Sequence, residues 1–305
     1  MSLIDKKKSG ALDFIVIGTP KSGTTTLYNW IREHPALFLP EGKELPFFSE
    51  PLYEKGIDWY LQCHFGSAEH NYLWGKVTPQ YMGGIGEIMP AVIARRIHDT
   101  VPDVRLIAIL RNPVERAYSH YAMIVRRGHE KRSFESVANE QTTAQGIEDG
   151  RAHHTETNCY VATGEYGRIL GFYYDLFARD QILVLFDQDL RNDRNRVIRE
   201  VFAFLGINED FVPGTLQSDF HKGSSKPKTR FLTPAFLNAL PLIPWIWSKA
   251  PNRLRRQVNF AINQWNISQE PLSLNPASDV YNQLVSFYAQ DKKILEELIQ
   301  REVPW

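Results

Sequence analysis

The sequence predicts an α/β fold: a parallel sheet with helices on both faces. Short apolar runs rich in β-branched residues recur at Phe14–Ile17, Tyr72–Val77, Val104–Leu110 and Ile182–Phe186, as in strands covered on both sides. The segments between these runs carry apolar residues at the i, i+3, i+4 spacing of helices buried on one face. The first run passes through a glycine-containing turn directly into such a helix. Strand and helix patterns therefore alternate through the first two thirds of the chain.

The opening unit reads FIVIGTPKSGTTTLYNWI over Phe14–Ile31. Gly18 ends the strand, Pro20 and Gly23 turn the chain, and Leu27, Trp30 and Ile31 mark the buried side of the helix. A strand feeding a helix through such a loop aims backbone N–H groups and the positive end of the helix dipole at one point. Lys21 and the hydroxyls of Ser22, Thr24, Thr25 and Thr26 stand around that point, so the expected occupant is a phosphate or sulfate.

Further along, Ala36–Leu39 predicts a short strand, and Pro40-Glu41-Gly42 a turn that delivers Lys43 and Glu44 ahead of Leu45, Pro46, Phe47 and Phe48. A charged pair held between a tight turn and an apolar anchor is restricted in position, as an acid or base in a cleft must be; a solvated surface pair is the plain alternative. Trp59–Phe65 predicts a helix, and the third strand closes in Thr78-Pro79-Gln80-Tyr81. Ile85–Ile97 reads as an amphipathic helix. Arg111 stands at the carboxyl end of the strand Val104–Leu110, the side on which open parallel sheets bind ligands. Asn112 then caps a helix with Pro113 first and Glu115 third, placing Arg116, Ser119 and His120 on one face.

Arg126–Thr157 turns polar and predicts an exposed helical excursion, with His153 and His154 as surface histidines. Tyr160–Phe177 returns to an amphipathic helix. Val197, Ile198, Val201, Phe202 and Leu205 mark the core face of another, as do Leu284, Tyr288, Leu295 and Leu298 over Tyr281–Ile299. His221 to Lys226 joins glycine, hydroxyls and lysines in a loop able to fold over a phosphate, or to serve as a basic linker. Phe231–Trp247 is apolar but broken by Pro234, Pro241 and Pro244, too short and too interrupted to span a membrane.

Composition narrows the classes. Lysine plus arginine equals aspartate plus glutamate at 35 each, so no net charge draws the chain to nucleic acid or acidic membranes. Two cysteines, Cys63 and Cys159, make neither a disulfide framework nor a zinc motif, which favours a reducing, cytoplasmic compartment. The charged start MSLIDKKKSG lacks the apolar run of a signal peptide. The expected organisation is a flexible lead-in over 1–12 and a single domain over 13–305.

The glycine spacing Gly18-x-x-x-x-Gly23 matches a nucleotide-triphosphatase P-loop, but Thr24 stands where that motif needs lysine, and the cation comes earlier at Lys21. The fold is thus P-loop-like, without the arrangement built around a metal-bound triphosphate. PKSGTTTL instead resembles the 5′-phosphosulfate loop of sulfotransferases that use 3′-phosphoadenosine 5′-phosphosulfate (PAPS). RNPVERAYSHY resembles their 3′-phosphate motif, with Arg111 and Ser119 at the matching positions. KELPFF resembles the lysine-glutamate segment of heparan-sulfate-type sulfotransferases, where the glutamate is the general base, here Glu44. Thr78-Pro79-Gln80-Tyr81 resembles their Ser/Thr-Pro-x-Tyr element. The residues before it differ, and Lys76 either assists the leaving sulfuryl group or is an exposed strand-end lysine.

The resemblance implies a sulfotransferase domain over 13–305 that moves a sulfuryl group from PAPS to a hydroxyl acceptor, a carbohydrate or an acyl-type alcohol, releasing PAP with no metal required. It implies a cofactor site of Lys21, Ser22, Gly23, Thr24, Thr25, Thr26, Arg111 and Ser119, closed more loosely by Lys222 and Gly223. Lys21 and Glu44 would be catalytic, with His120 and His221 as reserve bases. If Phe236, Leu237, Leu240, Ile243 and Trp245 wall an acceptor cleft, Arg253, Arg255 and Arg256 become a dock for an acyl carrier protein, as in polyketide-associated sulfotransferases. A P-loop kinase or ATPase and a non-catalytic nucleotide-binding module are the competing readings.

Overall fold

The computed structural model describes residues 12–66, 71–84, 86–218, 225–227, 267–271 and 274–305. Five parallel strands, β1 (Phe14–Gly18), β2 (Leu37–Phe38), β3 (Leu73–Val77), β4 (Arg105–Leu110) and β5 (Ile182–Phe186), form one sheet in the order β2-β3-β1-β4-β5. β1 lies between β3 and β4, with Ile15 opposite Lys76 on one side and Leu106 on the other. The chain leaves β1 towards β3 and β2, then crosses back to β4. Loops at the carboxyl ends of β1, β3 and β4 therefore converge on one crevice.

Alternation along the strands loads both faces. Ile15 and Ile17 of β1 pack with Trp74, Leu106, Ala108 and Val184 under α3 (Pro90–Thr100) and α7 (Tyr166–Tyr174). Phe14 and Val16 pack on the opposite face with Ile107, Ile109 and Leu185 under α1 (Thr24–Ile31) and α9 (Arg194–Leu205). Leu12, within the expected lead-in, is buried in the first of these cores. All five core positions expected on α9 are buried. On the C-terminal helix α10 (Asp279–Ile299), Leu284, Tyr288 and Leu295 are buried and Leu298 packs at the margin.

The segment expected as an exposed excursion is helical but not free-standing. α4 (Pro113–Arg127) is followed by α5 (Phe134–Gln141) and α6 (Ala144–Ala152). Their Phe134, Val137, Ala138 and Ile147 close a third core with Tyr160, Leu284 and Tyr288. His154 is buried as well, its Nε2 sharing a hydrogen bond with the Arg151 carbonyl at 3.1 Å, while His153 is exposed. Sequence reading missed the burial of α5 and α6 because Leu284 and Tyr288, which pack against them, lie on α10, more than a hundred positions away. Helix starts also move: α3 begins at Pro90, whose ring suits the first helical position, and α7 at Tyr166 after a 3₁₀ turn over Ala162–Gly164. The remaining α-helices among the described residues are α2 (Ile57–Phe65) and α8 (Asp187–Asn192), and Ser225–Pro227 pairs antiparallel with Ile267–Pro271.

Candidate active site

The loop after β1 holds its shape through polar contacts and two left-handed residues. The Thr19 and Ser22 hydroxyls lie 2.5 Å apart, and Thr19 also donates to the Ile109 carbonyl. Lys21 has φ 75°, a costly conformation for a side chain with a Cβ, and Gly23 has φ 93°. Gly23 is the N-cap of α1, and no side chain caps that helix end. The N–H groups of the first turn of α1 have no intrahelical carbonyl, and Thr24, Thr25 and Thr26 stand on that turn. Ser22 and Thr24 are buried; Thr25 and Thr26 are half-buried. Strained backbone, uncapped N–H groups and hydroxyls converge there, the arrangement that holds an oxyanion.

The second motif meets the first. Arg111, at the carboxyl end of β4, reaches the Lys21 carbonyl with Nη1 at 3.5 Å. The Asn112 side chain accepts from the N–H groups of Val114 and Glu115, fixing the start of α4. α4 then runs past the loop, and Lys21 Nζ lies 3.7 Å from the Met123 sulfur. Ser119 is buried on this helix one turn before Met123. Arg116 is fully buried, donating to the Tyr160 carbonyl through Nη2 while its Nε and Nη1 have no protein partner.

The result is a concentrated positive field. Burial, then the nearby Arg126, Arg111, Arg127 and Arg116 cations, push the Lys21 ammonium down to about 8. Burial and the same kind of neighbours hold His120 well below its ordinary value, and its Nδ1 is buried without a partner. An imidazole kept neutral among cations is not surrounded as a catalytic dyad would be. Two carboxylates temper the field: Arg111 Nη2 meets Glu115 Oε2 at 2.9 Å, and Nε meets Asp187 Oδ2 at 3.6 Å.

The Lys43–Glu44 pair lies across the loop. Lys43 Nζ reaches the Thr24 hydroxyl at 3.4 Å and Glu44 Oε1 at 3.0 Å. Gln80 Nε2, from the turn after β3, donates to Glu44 Oε2 at 2.6 Å. Partial burial pushes the Glu44 carboxyl up, but Lys43, the Gln80 hydrogen bond and Lys76 outweigh it and leave it below its usual value. The carboxylate is therefore ionised at neutral pH, with its side chain 43% exposed. Lys76 is 1% exposed and donates to the Gly42 carbonyl at 2.6 Å, which removes the exposed strand-end alternative.

Of the expected site residues, Lys21, Ser22, Gly23, Thr24, Thr25, Thr26, Glu44, Arg111 and Ser119 all lie on the elements framing this crevice. Lys222, Gly223 and His221 fall outside the described residues, as do Phe231–Trp247 and Arg253, Arg255 and Arg256. Sequence reading missed Gln80 as a partner of Glu44, Asp187 as a partner of Arg111, and the burial of Arg116. Asp187 carried one usable signal, its place immediately after strand β5. Among the described residues, no group of three His, Cys, Asp or Glu side chains is placed to hold a metal ion, and no helix is long and apolar enough to cross a membrane.

Comparison with known proteins places this geometry in a family. The bovine bifunctional heparan sulfate N-deacetylase/N-sulfotransferase 2 is 29% identical over 222 residues, covering 69% of this chain and 24% of that protein. The human bifunctional heparan sulfate N-deacetylase/N-sulfotransferase 3 is 31% identical over 223 residues, again 69% of this chain and 24% of the relative. The chain thus spans about a quarter of the length of these curated relatives. A crystal structure of a sulfotransferase from Alicyclobacillus acidocaldarius aligns with a TM-score of 0.68 at 25% identity, covering 97% of this chain and 98% of that one. The family model described as "Sulfotransferase domain" matches residues 12–235, and the chain belongs to the sulfotransferase domain family.

Proposed function

We propose that this chain, folded as a single sulfotransferase domain, transfers a sulfuryl group from PAPS to a hydroxyl acceptor, giving a sulfate ester and PAP. The observation that carries the reading is the junction of the two anion motifs, where Arg111 Nη1 reaches the Lys21 carbonyl. A nucleotide bearing anions at both 5′ and 3′ positions fits this pair of sites. The unpartnered Nε and Nη1 of buried Arg116 and the depressed Lys21 ammonium fit it too, because a cation-rich site is relieved by an anion.

In this reading the loop N–H groups and Ser22 to Thr26 hold the 5′-phosphosulfate, and Arg111 and Ser119 hold the 3′-phosphate. Glu44 takes the proton of the acceptor hydroxyl as its oxygen forms a bond to sulfur. The bond from sulfur to the bridging phosphate oxygen breaks, PAP leaves, and Lys21 stabilises the charge growing on that oxygen. Glu44 fits the role by reach and by being ionised. His120 is enclosed among cations and its buried Nδ1 is not open to an acceptor.

An acceptor screen with radiolabelled PAPS tests the reading. Its arms are a hydroxyacyl carrier protein, a sulfate-free glycosaminoglycan and a free-amine polysaccharide, the last because the curated relatives are named N-sulfotransferases. Label transfer to a hydroxyl acceptor supports the proposal, and transfer to the amine alone replaces the acceptor class. PAP binding with no turnover in any arm returns the chain to a nucleotide-binding module. Greater thermal stabilisation by ATP with magnesium than by PAP returns it to a kinase or ATPase.

A further inference from the structure

A lysine on the apolar face of a parallel sheet is costly, because an ammonium taken out of water loses several kcal/mol unless it finds partners. Lys76 is such a lysine. It lies opposite Ile15 of β1 and, by the two-residue period of a strand, on the face of Trp74, whose core includes Phe47 and Phe65. Methionine would fill the same channel at lower cost. The ammonium donates to the Gly42 carbonyl at 2.6 Å. Gly42 closes the turn that delivers Lys43 and Glu44. Gln80, four residues beyond Lys76, holds Glu44 Oε2 at 2.6 Å. The end of β3 and the turn after it thus grip the Gly42–Glu44 segment at two points.

We propose that Lys76 is a positioning residue for Glu44: it pins the Gly42 turn to the end of β3 and so, together with Gln80, fixes where the Glu44 carboxylate stands for proton acceptance. The inference rests on Glu44 as the base. Lys76 acts through it and does not touch the reacting atoms. Facing Lys76 are Glu44, which favours its charge, Lys43, which opposes it, and His64 of α2, whose own protonation Lys76 disfavours. Burial dominates and pushes the Lys76 ammonium down to about 7. The neutral amine still donates to Gly42, so the pin persists above neutral pH while the electrostatic support of Glu44 fades.

The full chain, carrying carboxyl-labelled glutamate, is titrated by NMR as wild type, Lys76→Met and Lys76→Arg, with Glu44→Gln assigning the Glu44 signal. Lys76→Met is expected to move the Glu44 titration upward, since the Lys76 charge lowers it. Amide exchange over Gly42–Leu45 should speed up while the PAP Kd changes less than about twofold. With the acceptor found by the screen, kcat should fall about tenfold, and Lys76→Arg should recover part of that loss. In the Glu44→Gln background, Lys76→Met should cost little more, the non-additivity of residues acting through one group.

An unchanged Glu44 titration and unchanged turn exchange would overturn the proposal, as would fully additive losses of kcat. If Lys76→Met does not fold, Lys76→Gln carries the same measurements and the same outcomes decide. Full turnover in Glu44→Gln would remove the base assignment instead. A normal defect there with no effect of Lys76→Met removes this inference alone.

Discussion

The Arg111 guanidinium and the Asp187 carboxylate approach to 3.6 Å at the carboxyl ends of the adjacent strands β4 and β5. Arg191 shares the same Asp187 oxygen at 3.1 Å. Burial is the main influence on Asp187 and pushes its carboxyl up to about 6, against the pull of Arg191 and Arg111. The arginine expected to read a 3′-phosphate is thus partly neutralised by a carboxylate that titrates within reach of physiological pH.

Asp187→Asn should therefore tighten PAP binding several-fold at pH 7. In the wild type a bound 3′-phosphate disfavours the charged carboxylate, so binding takes up a proton and affinity rises as pH falls towards about 6, levelling off below it. The phosphate titrates in the same range, so the difference between wild type and variant is the quantity to read. Calorimetric titration at pH 5.5 and 7.5 checks it; parallel pH profiles for the two proteins would dismiss the competition.

Lys21→Ala and Arg111→Ala should fail differently. In the proposed reaction Arg111 would make charged contacts in ground and transition states alike, so its loss should weaken PAP binding about 10- to 100-fold with a smaller change in kcat. Lys21 would meet charge that grows on the bridging oxygen, so its loss should lower kcat about 100- to 1,000-fold. Steady-state kinetics with PAP competition separates them. Equal affinity losses with no turnover defect would remove both assignments.

Binding of PAP near pH 8 should be accompanied by proton uptake at Lys21. The free ammonium is depressed to about 8 by burial and surrounding arginines, and an anion beside it raises that value. Uptake on binding means affinity falls as pH rises through and above about 8. Calorimetry in two buffers of different ionisation enthalpy measures the proton count directly, and Lys21→Met should abolish the buffer dependence.

Glu44→Gln preserves shape and the contact with Gln80 while removing the proposed base. PAP affinity should stay within about twofold and kcat should fall about 100- to 10,000-fold. The acid limb of the wild-type kcat profile should lie below pH 7, since Glu44 is held below its usual value. A near-normal rate in the variant would transfer proton removal to another group.

The α/β class, the order of the main elements and the local shape of the loop after β1 and of the start of α4 were legible in the chain because each depends on neighbours in sequence. Strand burial follows from apolar runs, the start of α4 from Asn112, Pro113 and Glu115, and the strand-to-helix turn before α1 from its two glycines. Element ends were less legible, as the later start of α7 shows, because a 3₁₀ turn and a helix share the same apolar spacing. What only the tertiary structure decided are the meetings of distant segments: His154 beneath Gly84 and Gly86, Arg111 against Asp187, Gln80 on Glu44, and Lys76 under Gly42. A residue's type and spacing report the face it presents, but the environment that shifts its charge comes from strands and loops brought beside it by the sheet order. Lys76 therefore read equally as a surface lysine or a catalytic one until the turn after β2 was seen to close over it.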